Sequence, residues 1–192
     1  MVYRFRFFVH NDIYFMGQLE CARCIATSKN GNECRRKVCI GMPYCWQHLL
    51  SVKHLKIKPS TVEDAGKGLF AINPQQRQNA IVFQTNAEIC NYYGEFIDLD
   101  TLENRYGDYT APYTIQVKKN ERYEDAALHR GIGSLANHSL NNANVSFHIK
   151  RVAGRNHHVV LKALRPIRNG EEIFINYGNE YLFYEPTTNS TR

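Results

Sequence analysis

Long apolar runs are absent from these 192 residues, so no helix of the kind that crosses a bilayer is expected. A secretion signal is missing too. Met1 to Met16 interrupts its aromatics with Arg4, Arg6, His10 and Asp12 and offers no small-residue cleavage site. The chain is therefore expected in the nucleus or cytoplasm, with no membrane partner. No internal repeat is found, which argues against solenoids and propellers. Cysteine is absent after Cys90, so the C-terminal end cannot supply a cysteine-rich metal segment.

The charge that is present is unevenly placed. Residues 1–58 hold ten Lys/Arg against three Asp/Glu, whereas residues 59–192 hold fourteen against fifteen. The formal charge of +6 thus belongs to the front of the chain. A basic front attracts nucleic acid or an acidic protein surface, or it is simply a solvated face.

Most of the chain is patterned as short strands between turns. The stretch Val2–Tyr14 is aromatic and partly alternating, like a strand. Leu49–Lys58 reads as helical and then extended. A Gly-rich turn at Gly66 and Gly68 runs into an apolar strand ending near Ile72. Further strands are expected at Ile81–Gln84, Glu88–Tyr93, Tyr113–Val117 and Glu172–Tyr177. Val145–Ile149 and His158–Ala163 are expected to pair as a hairpin around Gly154. Asp100 to Glu103 has a capping-box pattern and predicts a helix start there. Many strands and few helices make the expected fold class mostly β.

Five of the six cysteines lie between Cys21 and Cys45, in the pattern C-x2-C-x9-C-x4-C-x5-C-x2-H ending at His48. Clustered cysteines beside a histidine, without a secretion signal, point to metal before disulfides. Zinc takes four Cys or His ligands in a tetrahedron, and six candidates exceed one site. The stretch Cys24–Lys37, with Thr27 and Gly31 in its turn, is followed by Gly41 and the run Tyr44-Cys45-Trp46-Gln47-His48. It resembles a short Cys3His motif of proteins from large DNA viruses and some microbes. That resemblance implies Cys24, Cys34, Cys45 and His48 as ligands of a structural Zn2+, with Cys21 and Cys39 as spectators. A Cys21–Cys24 pair is the alternative. Four protein ligands leave no open position, so such a zinc holds structure and does no chemistry.

Four later segments carry a second resemblance. They are Gly66-Lys67-Gly68-Leu69-Phe70, Tyr92-Tyr93-Gly94-Glu95, Asn137-His138-Ser139, and Gly170-Glu171-Glu172-Ile173-Phe174-Ile175-Asn176-Tyr177-Gly178. Asp125-Ala126 stands at a matching interval before Asn137. In this order they resemble the SET-domain protein lysine methyltransferases. The glycine turn is not a dinucleotide fingerprint, because the third glycine and the following helix are missing. The implied organisation is an N-terminal strand-like extension at 1–18, a zinc-binding module at 19–50, a SET domain at 55–181 and a tail at 182–192. The implied fold is a set of short β-sheets with a knot-like crossing.

The resemblance also implies roles. Gly66, Lys67 and Gly68 would contact S-adenosylmethionine mainly through backbone. Asn137 and His138 would hold its methionyl and adenine parts. Tyr177 would touch the cofactor and act as the catalytic tyrosine, with Tyr92 beside it in the lysine channel. Tyr113 would flank the peptide groove. Phe147 and Ile175 would be channel positions, and Ile175 stands where a family switch limits the number of methyl groups added. Neither has a hydroxyl, so dimethyl and trimethyl products are expected.

The implied partner is a protein lysine, with a histone tail as the expected substrate. Small viral members of the family are similarly short and pair as dimers. They leave open a homodimer, a viral source and a place in the host's nucleus or cytoplasm. The chain departs from the family in having Ser134-Leu135-Ala136 before Asn137 and a segment one residue longer before Asn144. Tyr181, Phe183 and Tyr184 are expected to form an aromatic lid in place of a C-terminal zinc segment. A non-catalytic adaptor, using the basic module on chromatin or nucleic acid, is the rival reading.

Overall fold

The computed structural model describes residues 22–27, 30–38, 43–75, 77–107, 111, 113–118, 122–129, 131–151 and 158–178, and the strand backbone of 4–9 and 13–18. Cys21, Cys39, Gly154, Tyr181, Phe183 and Tyr184 lie outside the described residues.

The fold is mostly β, as its sequence pattern requires. A five-stranded sheet forms its centre, in the order Asn137–His138, Phe174–Ile175, Val145–Lys150, His158–Ala163, Glu88–Asn91. Val145–Lys150 and His158–Ala163 are antiparallel, pairing Val145 with Ala163 and Lys150 with His158. Three consecutive residues of the latter strand, Val159, Val160 and Leu161, are buried. A strand covered on both faces reads as a continuous apolar run rather than an alternation.

The glycine turn leads into Lys67–Ala71, which pairs antiparallel with Leu55–Pro59. A second small sheet orders Thr114–Lys118, Arg122–Asp125 and Glu95–Ile97. Ile81–Phe83 pairs with Ile167–Arg168.

Three expectations shift, two of them outside the central sheet. The strand expected over Val2–Tyr14 is instead a hairpin, with Arg4–Val9 paired to Ile13–Gln18. The polar pair Asn11-Asp12 separates its two apolar halves in the sequence. The helix expected to start near Asp100 spans Leu99–Tyr106, and Asp98 is its cap, accepting from the Thr101 N–H at 2.9 Å. Its last turn is tied down by Arg105, which meets Glu95 at 2.6 Å and also the fully buried Asp125. The Tyr106 hydroxyl donates to the same Asp125 carboxylate at 2.9 Å. A buried carboxylate needs such partners to stay charged.

The crossing is made by the C-terminal segment. Phe174–Ile175 lies parallel to Asn137–His138 on one side, and Ile175 pairs with Val145 of a parallel strand on the other. A late segment thus sits between two earlier ones. The expected strand Glu172–Tyr177 shortens to these two residues, with Glu172 bridging Phe70. Buried Asn144 holds the segment in place. Its Nδ2 donates to the Glu172 carbonyl at 2.8 Å, and its Oδ1 accepts from the Phe174 N–H at 2.9 Å.

Asn144→Ala leaves a buried N–H and a buried carbonyl without these partners, each costing about 1–3 kcal/mol. A loss of about 2–4 kcal/mol is expected by urea denaturation, and an unchanged midpoint would refute this pinning role.

Candidate active site and metal centre

The Cys/His cluster is assembled from three pieces of backbone. Cys24 follows the short strand Ala22–Arg23, which pairs with Lys37–Val38, and its N–H donates to the Arg36 carbonyl at 2.9 Å. Cys34 is tied to the same turn by its N–H bond to Ala26 at 2.8 Å. Cys45 caps the helix Trp46–Lys53, which carries His48 in its first turn.

The four ligand atoms all lie within 4.8 Å of one another. Nδ1 of His48 is 3.4 Å from Cys24 Sγ and 3.3 Å from Cys45 Sγ, and Cys34 Sγ is 4.0 Å from Cys45 Sγ. A tetrahedron with Zn–S near 2.3 Å and Zn–N near 2.0 Å has edges of about 3.5–3.8 Å. The donor set and its spacing therefore fit zinc, with Nδ1 as the ligand atom that His48 would offer.

Electrostatics favour a thiolate there. Burial pushes the Cys45 thiol up, but the N–H groups of His48 and Gln47 at the helix start, with Cys24 and Arg36, more than offset it and bring it to about 6. Thiols at helix N-termini are commonly acidified this way.

The second site surrounds the crossing. Tyr92, Tyr113, Phe147 and Tyr177 line one cavity of about 200 Å3, together with Thr114, Gln116 and Ser134 among others. Tyr177 donates its hydroxyl proton to the Ala136 carbonyl at 2.8 Å, and its backbone N–H donates to His138 Nδ1 at 3.1 Å. The two rings are 5.2 Å apart. Tyr92 donates its hydroxyl proton to the Tyr113 carbonyl at 2.9 Å and meets the Phe147 ring edge-on at 5.5 Å. Four aromatic side chains from four separate segments thus converge on one space.

Ile175 is not among the residues lining this cavity. It is 1% exposed and lies within the core, between the strands of Asn137–His138 and Val145–Lys150. It stands two residues before Tyr177 in the same C-terminal segment.

Asn137 joins the glycine turn to the crossing. Its Nδ2 donates to the Lys67 carbonyl and to Glu172 Oε1, each at 3.1 Å. Gly66 adopts φ +68° with open space where a side chain would stand. Gly68 is glycine for a different reason: a Cβ there would come within 2.1 Å of Glu172 Oε1. The Lys67 side chain is exposed.

Two residues important to this arrangement carry no role in the sequence reading. Glu172 is 5% exposed and accepts from Ser60 Oγ at 2.7 Å, Thr61 N at 2.7 Å and Thr61 Oγ1 at 2.6 Å, besides Asn137. Burial pushes its pKa up, yet these donors outweigh it and hold the carboxyl below its usual value. Glu124 is 1% exposed and accepts from the N–H groups of Gly94 at 3.0 Å and Val159 at 2.8 Å. It fixes the turn after Tyr92. Burial dominates there and raises its pKa against those bonds.

Residues 66–178 match the family described as SET domain. The chain belongs to the SET-domain family. The segment Tyr92–Tyr177 that builds the cavity lies wholly inside the matched part of the SET domain. The chain is also similar to N-lysine methyltransferase KMT5A-A of Danio rerio, 28% identical over 126 residues, which are 62% of this chain and 34% of that protein. Among solved structures it is similar to ctPRC2 in an autoinhibited conformation bound to S-adenosylmethionine. There the identity is 26% and the TM-score 0.54, over 67% of this chain and 16% of that one. The chain thus spans about a third of the curated relative's length.

The metal centre predicts about one zinc per purified chain, and Cys45→Ser should lower that content sharply; a variant retaining full zinc would exclude Cys45 as a ligand. The second site predicts a pH effect. Burial lowers the pKa of His138 below its ordinary value, and its Nδ1 must be unprotonated to accept from Tyr177. A group with a depressed folded pKa contributes stability above its unfolded value, near 6.5, which is lost as pH falls through the folded value. The melting temperature should therefore decline on acidification below about pH 6.5. His138→Asn, with an acceptor that does not titrate, should flatten that decline; identical profiles for the two proteins would remove His138 from this role.

Proposed function

We propose that this chain transfers methyl groups from S-adenosylmethionine to lysine side chains of a protein, with a histone tail as substrate. The observation that carries this reading is the convergence of Tyr92, Tyr113, Phe147 and Tyr177 on one cavity beside Asn137 and His138. Membership of the SET-domain family supports it, as does similarity to a lysine methyltransferase and to a structure holding S-adenosylmethionine.

The residues present fit the cofactor. The glycine turn is open at Gly66, the imidazole of His138 is held neutral, and the acceptors of Glu172 are already engaged by Ser60, Thr61 and Asn137. Gly66, Lys67 and Gly68, with Asn137 and His138, would hold it, and Tyr177 would meet it. When bound, S-adenosylmethionine supplies a methyl group activated by a positively charged sulfur.

The chain's own residues must then present a neutral amine. A free lysine, with a pKa of roughly 10.4, costs about 4–5 kcal/mol to deprotonate at pH 7. Tyr92, Tyr113, Phe147 and Tyr177 exclude water from the amine, which lowers that cost by disfavouring the ammonium form. Among the described residues lining the cavity, none carries a carboxylate that would hold the ammonium charged. The Tyr177 hydroxyl proton is committed to Ala136, so the Tyr177 oxygen meets an incoming amine as an acceptor and aims its lone pair. Such alignment is where much of the rate enhancement arises.

Neither Ile175 nor Phe147, the two positions that resemblance assigns to control of methyl number, carries a hydroxyl, so the amine can turn after each transfer. With core histones and labelled cofactor, methyl incorporation is expected, and mass spectrometry should find dimethyl- and trimethyl-lysine. Tyr177→Phe should lower turnover by at least about 100-fold, the scale of removing a group that acts on the reacting atoms, while the protein still folds. Wild-type turnover in that variant would remove Tyr177 from its role, and incorporation into other proteins but not histones would reassign the substrate.

A further inference from the structure

Trp46 is 67% exposed, although it opens the helix that carries the cluster's histidine. Ile25, from the facing turn, is 64% exposed. Large apolar side chains displayed this way bury little in the fold. The Trp46 ring is nevertheless held. The Arg36 guanidinium lies 5.6 Å from its centroid, and the same guanidinium hydrogen-bonds the side chain of Gln47.

The stretch of chain around Trp46 is strongly basic. Among the described residues from 22 to 58, seven Lys or Arg stand against one carboxylate, Glu33. Arg23 and Lys37 are direct cross-strand partners in the two-residue ladder above the cluster. Like charges opposite one another weaken such a ladder. Glu33 reaches Arg23 at 3.9 Å, and both are largely exposed. The module therefore keeps an unfavourable pair of cations on display on the strands that flank Cys24 and Arg36, and Arg36 braces the exposed ring.

We infer that this face binds a single-stranded polynucleotide. A base would stack on the Trp46 indole, and its flanking phosphates would sit between Arg23, Arg36 and Lys37. An acidic peptide would satisfy the cations but would have no use for a planar, exposed indole. Duplex DNA would satisfy the cations too, but its bases are already stacked. A flat ring inside a basic patch fits an unpaired base joined to phosphate. This surface is separate from the cavity around Tyr177, and its use does not depend on the chemistry there.

Trp46 is the only tryptophan in the chain, so its fluorescence reports directly on stacking. Labelled oligothymidine is titrated with the full chain at low salt, following both anisotropy and tryptophan emission. Saturable binding with quenched emission is expected, weakening as salt rises. Trp46→Ala should weaken binding by at least about 5-fold, with zinc content and methylation of a free peptide unchanged. The paired variant Arg23→Gln/Lys37→Gln keeps the ring and should lower the log–log salt slope by about 0.7 for each phosphate it leaves unneutralised. The inference is overturned if oligothymidine does not bind, or if Trp46→Ala binds as tightly as the unaltered chain. It is equally overturned if an oligoglutamate peptide or duplex DNA binds as well as the single strand.

Discussion

The carboxylate of Glu172 is the contact on which the rest of the SET domain depends. Four donors from three residues meet it: Ser60, the backbone and hydroxyl of Thr61, and Asn137. One buried anion thereby joins the end of the strand Leu55–Pro59, the glycine turn and the crossing. Its charge survives burial because each oxygen is served by donors; an unpaired carboxylate in that place would cost several kcal/mol. Gly68 is part of the same constraint, since any side chain there would displace the Glu172 oxygen. The glycine that resemblance assigns to the cofactor is demanded first by the protein's own packing.

Around that anchor the site divides its labour between backbone and aromatic rings. Both hydroxyls that matter donate to carbonyls, Tyr177 to Ala136 and Tyr92 to Tyr113. Carbonyls move less than side chains, so the rings are aimed by the fold. Glu124 extends the same logic by fixing the Gly94 and Val159 N–H groups. Its burial at 1% exposure costs free energy that only a well-defined local geometry can offset.

Legibility in the sequence follows chemistry more than position. Tyr177 and Tyr92 are visible because they stand in the motifs, Tyr113 and Phe147 because the resemblance extends to them, and all four do share one cavity. Ligand chemistry marks the Cys/His run as a metal site, resemblance to a Cys3His motif selects Cys24, Cys34, Cys45 and His48 from its six candidates, and those four do cluster. Ile175 is harder to read from pattern alone. In a half-buried strand, alternation tells inside from outside, but Phe174 and Ile175 are both buried because both faces of the segment are covered. Nothing in the pattern says which of them faces the cavity. Glu172 stands in one of the motifs, yet its partners at Ser60 and Thr61 are more than a hundred residues away, and no local pattern reports so distant a bond. Asp98 is hidden because Asp100 offers an equally good cap two residues later.

The Cys/His module and the SET domain are joined by continuous structure. Cys45 caps the helix, His48 lies in its first turn, and Leu49 packs into the core at 3% exposure. The helix ends at His54, whose left-handed φ of 56° turns the chain directly into Leu55–Pro59. The His54 carbonyl accepts from Ile72 at 2.8 Å, at the end of the strand that begins with the glycine turn. Leu55, fully buried, pairs with Ala71 across that ladder. A left-handed histidine is an unfavourable cap compared with glycine, and it persists where its surroundings hold it. Here the holding contacts come from both sides: the helix carbonyls of Leu49 and Leu50 behind it and Ile72 ahead of it. Whatever orders the thiol cluster therefore also orders the strand that pairs with the one led in by Gly66 and Gly68. A small module with little core of its own can in this way act on the site by fixing the entry of one strand, without any ligand atom reaching the cavity.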